Sequence, residues 1–253
     1  MAMRALLVRG MIAGLGAAAV ALLVAWIYGE PQVGLAISFE EARSAAHHHG
    51  GGAPHVHEPE VVSRTVQKTT GLITALAFYG VALGGLFAIA FAVAYGRLGA
   101  LGARATAALV AMAGFVAVEL VPFLKYPATP PAVGSPETIG SRTALYFGMM
   151  ALGVLATAAA VIVCRRLAPR LGLWNAAIVT AAGYVVLLGI VFRATPKPDA
   201  VPAEFPASVL WDFRIASLGL QFALWTTLGL LFGYLTERAV ARQRAARPVP
   251  AKV

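Results

Sequence analysis

All five histidines of this 253-residue chain fall within eleven positions. They are His47, His48, His49, His55 and His57, with Glu58 and Glu60 directly behind them. Neutral imidazole is the commonest protein ligand for transition metals and suits Co, Ni, Cu and Zn. Gly50, Gly51 and Gly52 lie between the two histidine groups and let the chain fold back, so both groups can share one ion. The glutamates add hard oxygen donors and negative charge. A tract of this composition predicts a metal-contacting segment without choosing the metal. The competing description is a solvated, flexible loop that holds any divalent ion weakly.

A second set of polar residues stands inside otherwise apolar sequence. Glu119 lies one helical turn before Pro122, near the end of an apolar run. An ionisable group in such a run is costly unless it meets a partner or a wet cavity. Arg142 and Arg214 open later apolar runs and are its candidate partners. Arg214, Ser217 and Gln221 recur at i, i+3 and i+7, one face of a helix, and Trp225 continues that face. Arg142, Tyr146 and Met149 form a similar stripe. These faces are expected to line the interior of a bundle, either as a structural interhelical pair or as part of a transport path. Methionines at helical spacing are read as packing.

The elements that must position these residues follow from composition. Of the chain, 59% is hydrophobic and 12% charged, where a soluble domain carries about 25% charged residues. That excludes a soluble globular enzyme and makes a polytopic membrane protein the expectation. Charge-poor runs at 10–28, 71–96, 105–121, 143–164, 171–192 and 215–236 each approach the ~20 residues that cross the hydrocarbon as a helix. Strand-like alternation is absent, so the predicted fold is all-α: an integral membrane bundle of six transmembrane helices. The first run is too long for the apolar core of a cleaved leader and is read as a retained span.

Charge orients the bundle. The N-terminus, the short loops at 96–104 and 165–170, and the C-terminal tail hold twelve basic residues against Glu237 alone. The other side holds eight basic residues against nine acids. Lys and Arg in short loops mark the cytoplasmic side, so both termini are expected there. The expected organisation is a membrane domain over 1–237, with the long His-rich external loop at 29–70, followed by a basic cytoplasmic tail over 238–253. The tail is read as retention charge in contact with the lipid bilayer, not as a nucleic-acid site, because no aromatic or motif context accompanies it. The two further external loops, 122–142 and 193–212, are rich in proline and read as stiff, extended segments that act either as a lid or as rigid connectors.

Several activities are excluded by what the spans lack. None contains histidine or lysine, so a bis-histidine haem or a retinal Schiff base within the bundle has no ligand. There is no G-x-x-x-x-G-K phosphate loop, and no nucleophile or paired-carboxylate set at one depth. The chain is therefore read as a non-enzyme without an organic cofactor.

The remaining motifs resemble those of the predicted cobalt transporter subunit CbtA family. The similarity is carried by the His-rich first loop followed by Arg64-Thr65-Val66-Gln67-Lys68, by the proline-rich segment from Val121 to Gly134 with Glu137-Thr138-Ile139 and Arg142, and by Phe213-Arg214-Ile215-Ala216-Ser217-Leu218 with Gln221 and Trp225. The resemblance implies cobalt as the transported ion, an association with cobalamin biosynthesis, and a small single-span companion protein, CbtB, with its own histidines. The expected function is a permease component for a divalent transition metal in the bacterial cytoplasmic (inner) membrane. The alternative is a non-transporting metal-binding membrane scaffold that recruits a partner permease.

Overall fold

Ala, Leu and Gly dominate the long apolar runs, and among the described residues every regular element they form is a helix. The computed structural model describes residues 2–48, 62–131, 133–134 and 136–246. The principal helices are α1 (Met3–Val24), α2 (Glu30–His48), α3 (Leu72–Ala94), α4 (Ala103–Gly114), α5 (Val121–Lys125), α6 (Ile139–Ala194) and α7 (Ala207–Ala245). Joined end to end, they give five helical runs long and apolar enough to cross a membrane: Met3–Ala45, Arg64–Ala94, Ala103–Lys125, Ile139–Ala194 and Ala207–Ala245.

Widened π turns link several of these helices. One, Ala25–Gly29, joins α1 to α2, and another, Phe115–Leu120, joins α4 to α5. Each directly precedes a helix with proline in its first two positions, Pro31 and Pro122. Proline donates no backbone hydrogen bond, and its ring collides with the carbonyl four residues back. A wider turn before it removes that collision and lets the helix continue. A third π turn, Gln67–Gly71, leads into α3.

Two expectations about helix ends are corrected. The first helix does not stop at the end of the apolar run. It continues to His48, so nearly half of the expected loop at 29–70 is helix α2. Its sequence is rich in Ala and Glu, which favour helix whether or not they favour lipid. Likewise 165–170 is not a loop. Arg165, Arg166, Leu167, Ala168 and Arg170 stay helical, and the break comes at Gly172, with φ 76° and ψ 156°. Only glycine takes that backbone conformation readily.

The chain divides into two compact units. The first comprises Met1–Pro31, Ala53–Met112 and Gly219–Val253. Within it α1 and α3 cross at two glycine pairs, Gly10 against Gly84 and Gly14 against Gly80. A Cβ added to Gly80 would stand 2.5 Å from the Gly14 carbonyl oxygen, so no larger residue fits. Such contact lets backbones supply the packing that lipid cannot drive. The ring of Phe232 on α7 meets those of Phe87 and Phe91 edge to face, at 5.2 and 4.9 Å between centroids. At the other end of these helices, Trp26 Nε1 donates to the Lys68 carbonyl at 2.9 Å and Arg64 pairs with Glu30 at 2.6 Å.

The second unit comprises Gln32–Gly52 and Ala113–Leu218. It contains both arms of α6, which lie side by side. The Thr157 and Tyr184 hydroxyls hydrogen-bond at 3.1 Å, and Met149 on one arm packs with Leu188 on the other and with Val121. A separate cluster buries Ala36 of α2, Val133 and Phe205, with Phe39 edge to face on Phe205 at 5.2 Å. Residues of both proline-rich segments thus pack on α2. The earlier of these segments is not extended from its start, because Pro122 sits inside α5.

Candidate functional site

Glu119 sits in the π turn between α4 and α5 and is 7% exposed. A widened turn is a place where backbone carbonyls leave their regular partners. The turn is also approached closely by its neighbour. Gly153 of α6 lies so near the Ala117 carbonyl that a Cβ there would overlap it, and Val121 would then be 3.4 Å away. Tyr146 lies on the same arm of α6, close enough for the Glu119 carboxylate to act on its phenol electrostatically. Val116, Leu152, Tyr184 and Val191 surround the Val121, Met149 and Leu188 core beside them. Met149 is therefore a packing residue, as its spacing predicted. The result is one carboxylate held in an apolar wall of a membrane helix, with a phenol nearby.

Arg142 and Arg214, the candidate partners of Glu119, both contact the connecting segments. Arg142 pairs with Asp199, Nε to Oδ2 at 3.4 Å, and Thr138 donates to the same carboxylate oxygen at 2.5 Å. The Arg142 guanidinium also fills the space under Gly134, whose φ is +103°; a Cβ there would be 2.8 Å from Cζ. Arg214 Nε donates to the Ala128 carbonyl at 3.3 Å. Both arginines thus fasten the proline-rich segment that follows α5. Ser217 is half-buried one turn beyond Arg214. Gln221 and Trp225 belong to the other unit. There Gln221 Oε1 and Trp225 Nε1 are buried with no hydrogen-bond partner among the described residues.

Further residues hold this region, and the sequence reading passed over them. Lys125, at the end of α5, donates from Nζ to the Phe192 carbonyl at 2.7 Å and to the Thr195 carbonyl at 3.1 Å. The last carbonyls of a helix lack intrahelical donors, and a lysine that reaches them satisfies the end of α6. Tyr126 donates from its hydroxyl to the Pro196 carbonyl at 3.0 Å. In the sequence Asp199 is one of the nine acids on the expected external side. Nothing in its local sequence marks it, because its partners Thr138 and Arg142 lie some sixty positions away.

The histidine tract is only partly in view. His47 and His48 are the last two residues of α2. His49, His55, His57, Glu58 and Glu60 lie outside the described residues. Among the described residues no three His, Cys, Asp or Glu side chains converge as a metal site.

Neither a curated protein nor a solved structure matches the chain. A family model does: the one described as "Probable cobalt transporter subunit (CbtA)" matches residues 3–237. That match covers every helix from α1 to the greater part of α7, together with the glutamate, arginine and proline-rich segments described above, and on it this multi-pass helical membrane protein belongs to the CbtA family.

Proposed function

We propose that this protein is the permease component of an uptake system for a divalent transition metal, with Co²⁺ as cargo. The observation that carries the proposal is the family match over residues 3–237. The glycine break divides the longest helical run into two antiparallel arms, which supports reading the five runs as six crossings. An even number of crossings returns both termini to one side, and the basic bias of the short connections makes that side the cytoplasm of a bacterial inner membrane. The His-rich segment then faces outward.

In this mechanism His47, His48, His49, His55, His57, Glu58 and Glu60 capture the ion. The basic side chains next on the route are already engaged, Arg142 by Asp199 and Arg214 by a carbonyl, which lowers their repulsion of a cation. Glu119, in its widened turn, offers the negative charge that draws the ion inward. The membrane potential favours that movement by ~2.3 kcal/mol per charge per 100 mV. The subunit designation of the family implies a further component. A small single-span companion of the CbtB kind is the proposed partner.

The deciding experiment is cobalt accumulation in a bacterial host without other cobalt systems, expressing this chain alone. Accumulation above the empty host, lowered by Glu119→Gln in protein that still reaches the membrane, supports the permease. Accumulation that appears only when a separate permease is present assigns the chain to the scaffold alternative.

A further inference from the structure

One exposed stripe of α7 changes character over two turns. Leu230, Tyr234 and Arg238 follow one another on it at four-residue spacing, with Arg242 one further turn on, all exposed. The opposite face, with Phe232, Gly233 and Thr236, is buried. Apolar side chains, then an aromatic, then arginines is the order in which a helix surface meets hydrocarbon, interface and phosphate.

A second helix brings another cation to the same place. The absence of a side chain at Gly233 lets the start of α4 approach α7, where a Cβ would be 3.1 Å from Arg104 Cα. The Arg104 guanidinium carbon then stands 5.5 Å from the centre of the Tyr234 ring, and that of Arg238 stands 4.9 Å from it. Glu237 pairs with Arg104, yet the Arg104 side chain remains 60% exposed. Arg104 thus has this one acid as its salt-bridge partner, while Arg238 and Arg242 stand exposed beyond Tyr234 on α7. Guanidinium donors are planar forks whose geometry matches phosphate oxygens, so the unused donors suit a phosphodiester.

We propose that Arg104, Tyr234, Arg238 and Arg242 form a binding site for the phosphate headgroup of an anionic phospholipid. It lies in the leaflet where α7 leaves the membrane, and it does not depend on the identity of the cargo. Both the Arg104 and the Arg238 guanidinium groups lie over the Tyr234 ring. The phosphate accepts from both, and the acyl chains run along Leu230. The lipid thereby joins α4 to α7 beside the close contact of Ala107 and Ala111 with Gly229 and Gly233.

The test uses the full chain in nanodiscs of phosphatidylcholine with or without phosphatidylglycerol. It reads the thermal midpoint and the phosphatidylglycerol retained in native mass spectra. The expected result is a higher midpoint with phosphatidylglycerol. That shift should be lost in Arg104→Gln/Arg238→Gln, and retention should fall about fivefold for each guanidinium removed. Arg165→Gln/Arg166→Gln removes equal charge from exposed positions on α6 and should keep both effects. Equal losses in the two double variants would mean that bulk charge alone attracts the lipid, and the site would be rejected. Inorganic phosphate added to phosphatidylcholine discs should give no shift, and a shift equal to that of the lipid would reassign the groups to a free anion. Should the double variant fail to fold, Arg238→Gln alone, which leaves the Arg104–Glu237 pair in place, must still lower retention.

Discussion

The hydroxyls of Thr157 and Tyr184 lie 3.1 Å apart, although 27 positions separate the two residues in one helical run. A straight α-helix would set them ~40 Å apart. The run must therefore reverse between them, and Gly172, at φ 76° and ψ 156°, is the residue that takes a non-helical conformation. Any side chain there is strained, although a Cβ would meet nothing within 4 Å. Gly172→Ala should destabilise the protein by about 1–3 kcal/mol through the backbone alone. Gly183→Ala, at an equally open but helical position of α6, should be neutral or slightly stabilising. Thermal melting of the two variants in detergent makes the comparison, and equal behaviour would remove Gly172 from its role.

The same reversal sets a topology that reporters can read. Fusions at Gly99 and Ala168 are expected to report the cytoplasm, and fusions at Ala53, Gly134 and Asp199 the outside. A cytoplasmic signal at Ala53 would invert the orientation and end the capture role of the histidines.

Membrane character was legible in the sequence and helix ends were not, for one physical reason. Apolar runs report what a segment can dissolve in, whereas helix ends depend on backbone preference. Arg165 and Arg166 end an apolar run, yet arginine favours helix, so the backbone carries on to Gly172. The polar residues after Tyr28 likewise left the hydrocarbon without leaving the helix, which runs on to His48. Glu119 lies in an apolar run and is buried, but helical spacing did not name Tyr146 as its neighbour. Nor did it name the pairing of Arg142 with Asp199, because a contact between distant connecting segments has no periodicity to announce it.

That pairing is open to measurement. The Arg142 and Asp199 side chains are 30% and 35% exposed, so solvent screens their attraction in part. A double-mutant cycle with Arg142→Gln and Asp199→Asn should give a coupling of about 0.5–1 kcal/mol in stability. Arg142→Gln alone should exceed that figure, since it also empties the space under Gly134 and takes the guanidinium from the Asp199 carboxylate that Thr138 also contacts. Glu119→Gln should be milder in stability than Arg142→Gln, because a neutral amide relieves a carboxylate of its desolvation. A zero coupling energy between Arg142 and Asp199 would show that the contact does not fasten the segment.

The histidine tract gives the last prediction. Imidazole binds metal only when neutral, and its unperturbed pKa is ~6.5. Protonation therefore competes with metal, and binding by this tract should weaken as pH falls from about 7 to about 5. Closing a glycine-containing segment around an ion also costs conformational entropy, which keeps affinity modest. Selectivity should then follow ligand chemistry alone, with Cu²⁺ and Ni²⁺ ahead of Co²⁺. Any cobalt preference must come from the helices or from a partner. Deleting 47–57 should impair uptake at low metal and spare it at high metal, because capture is lost while the route through the membrane is intact. The comparison is a concentration series of cobalt uptake in cells with matched amounts of membrane-inserted protein. If the deletion abolished uptake at every concentration, the tract would be an obligatory part of the route, and capture followed by hand-over toward Glu119 would be the wrong mechanism.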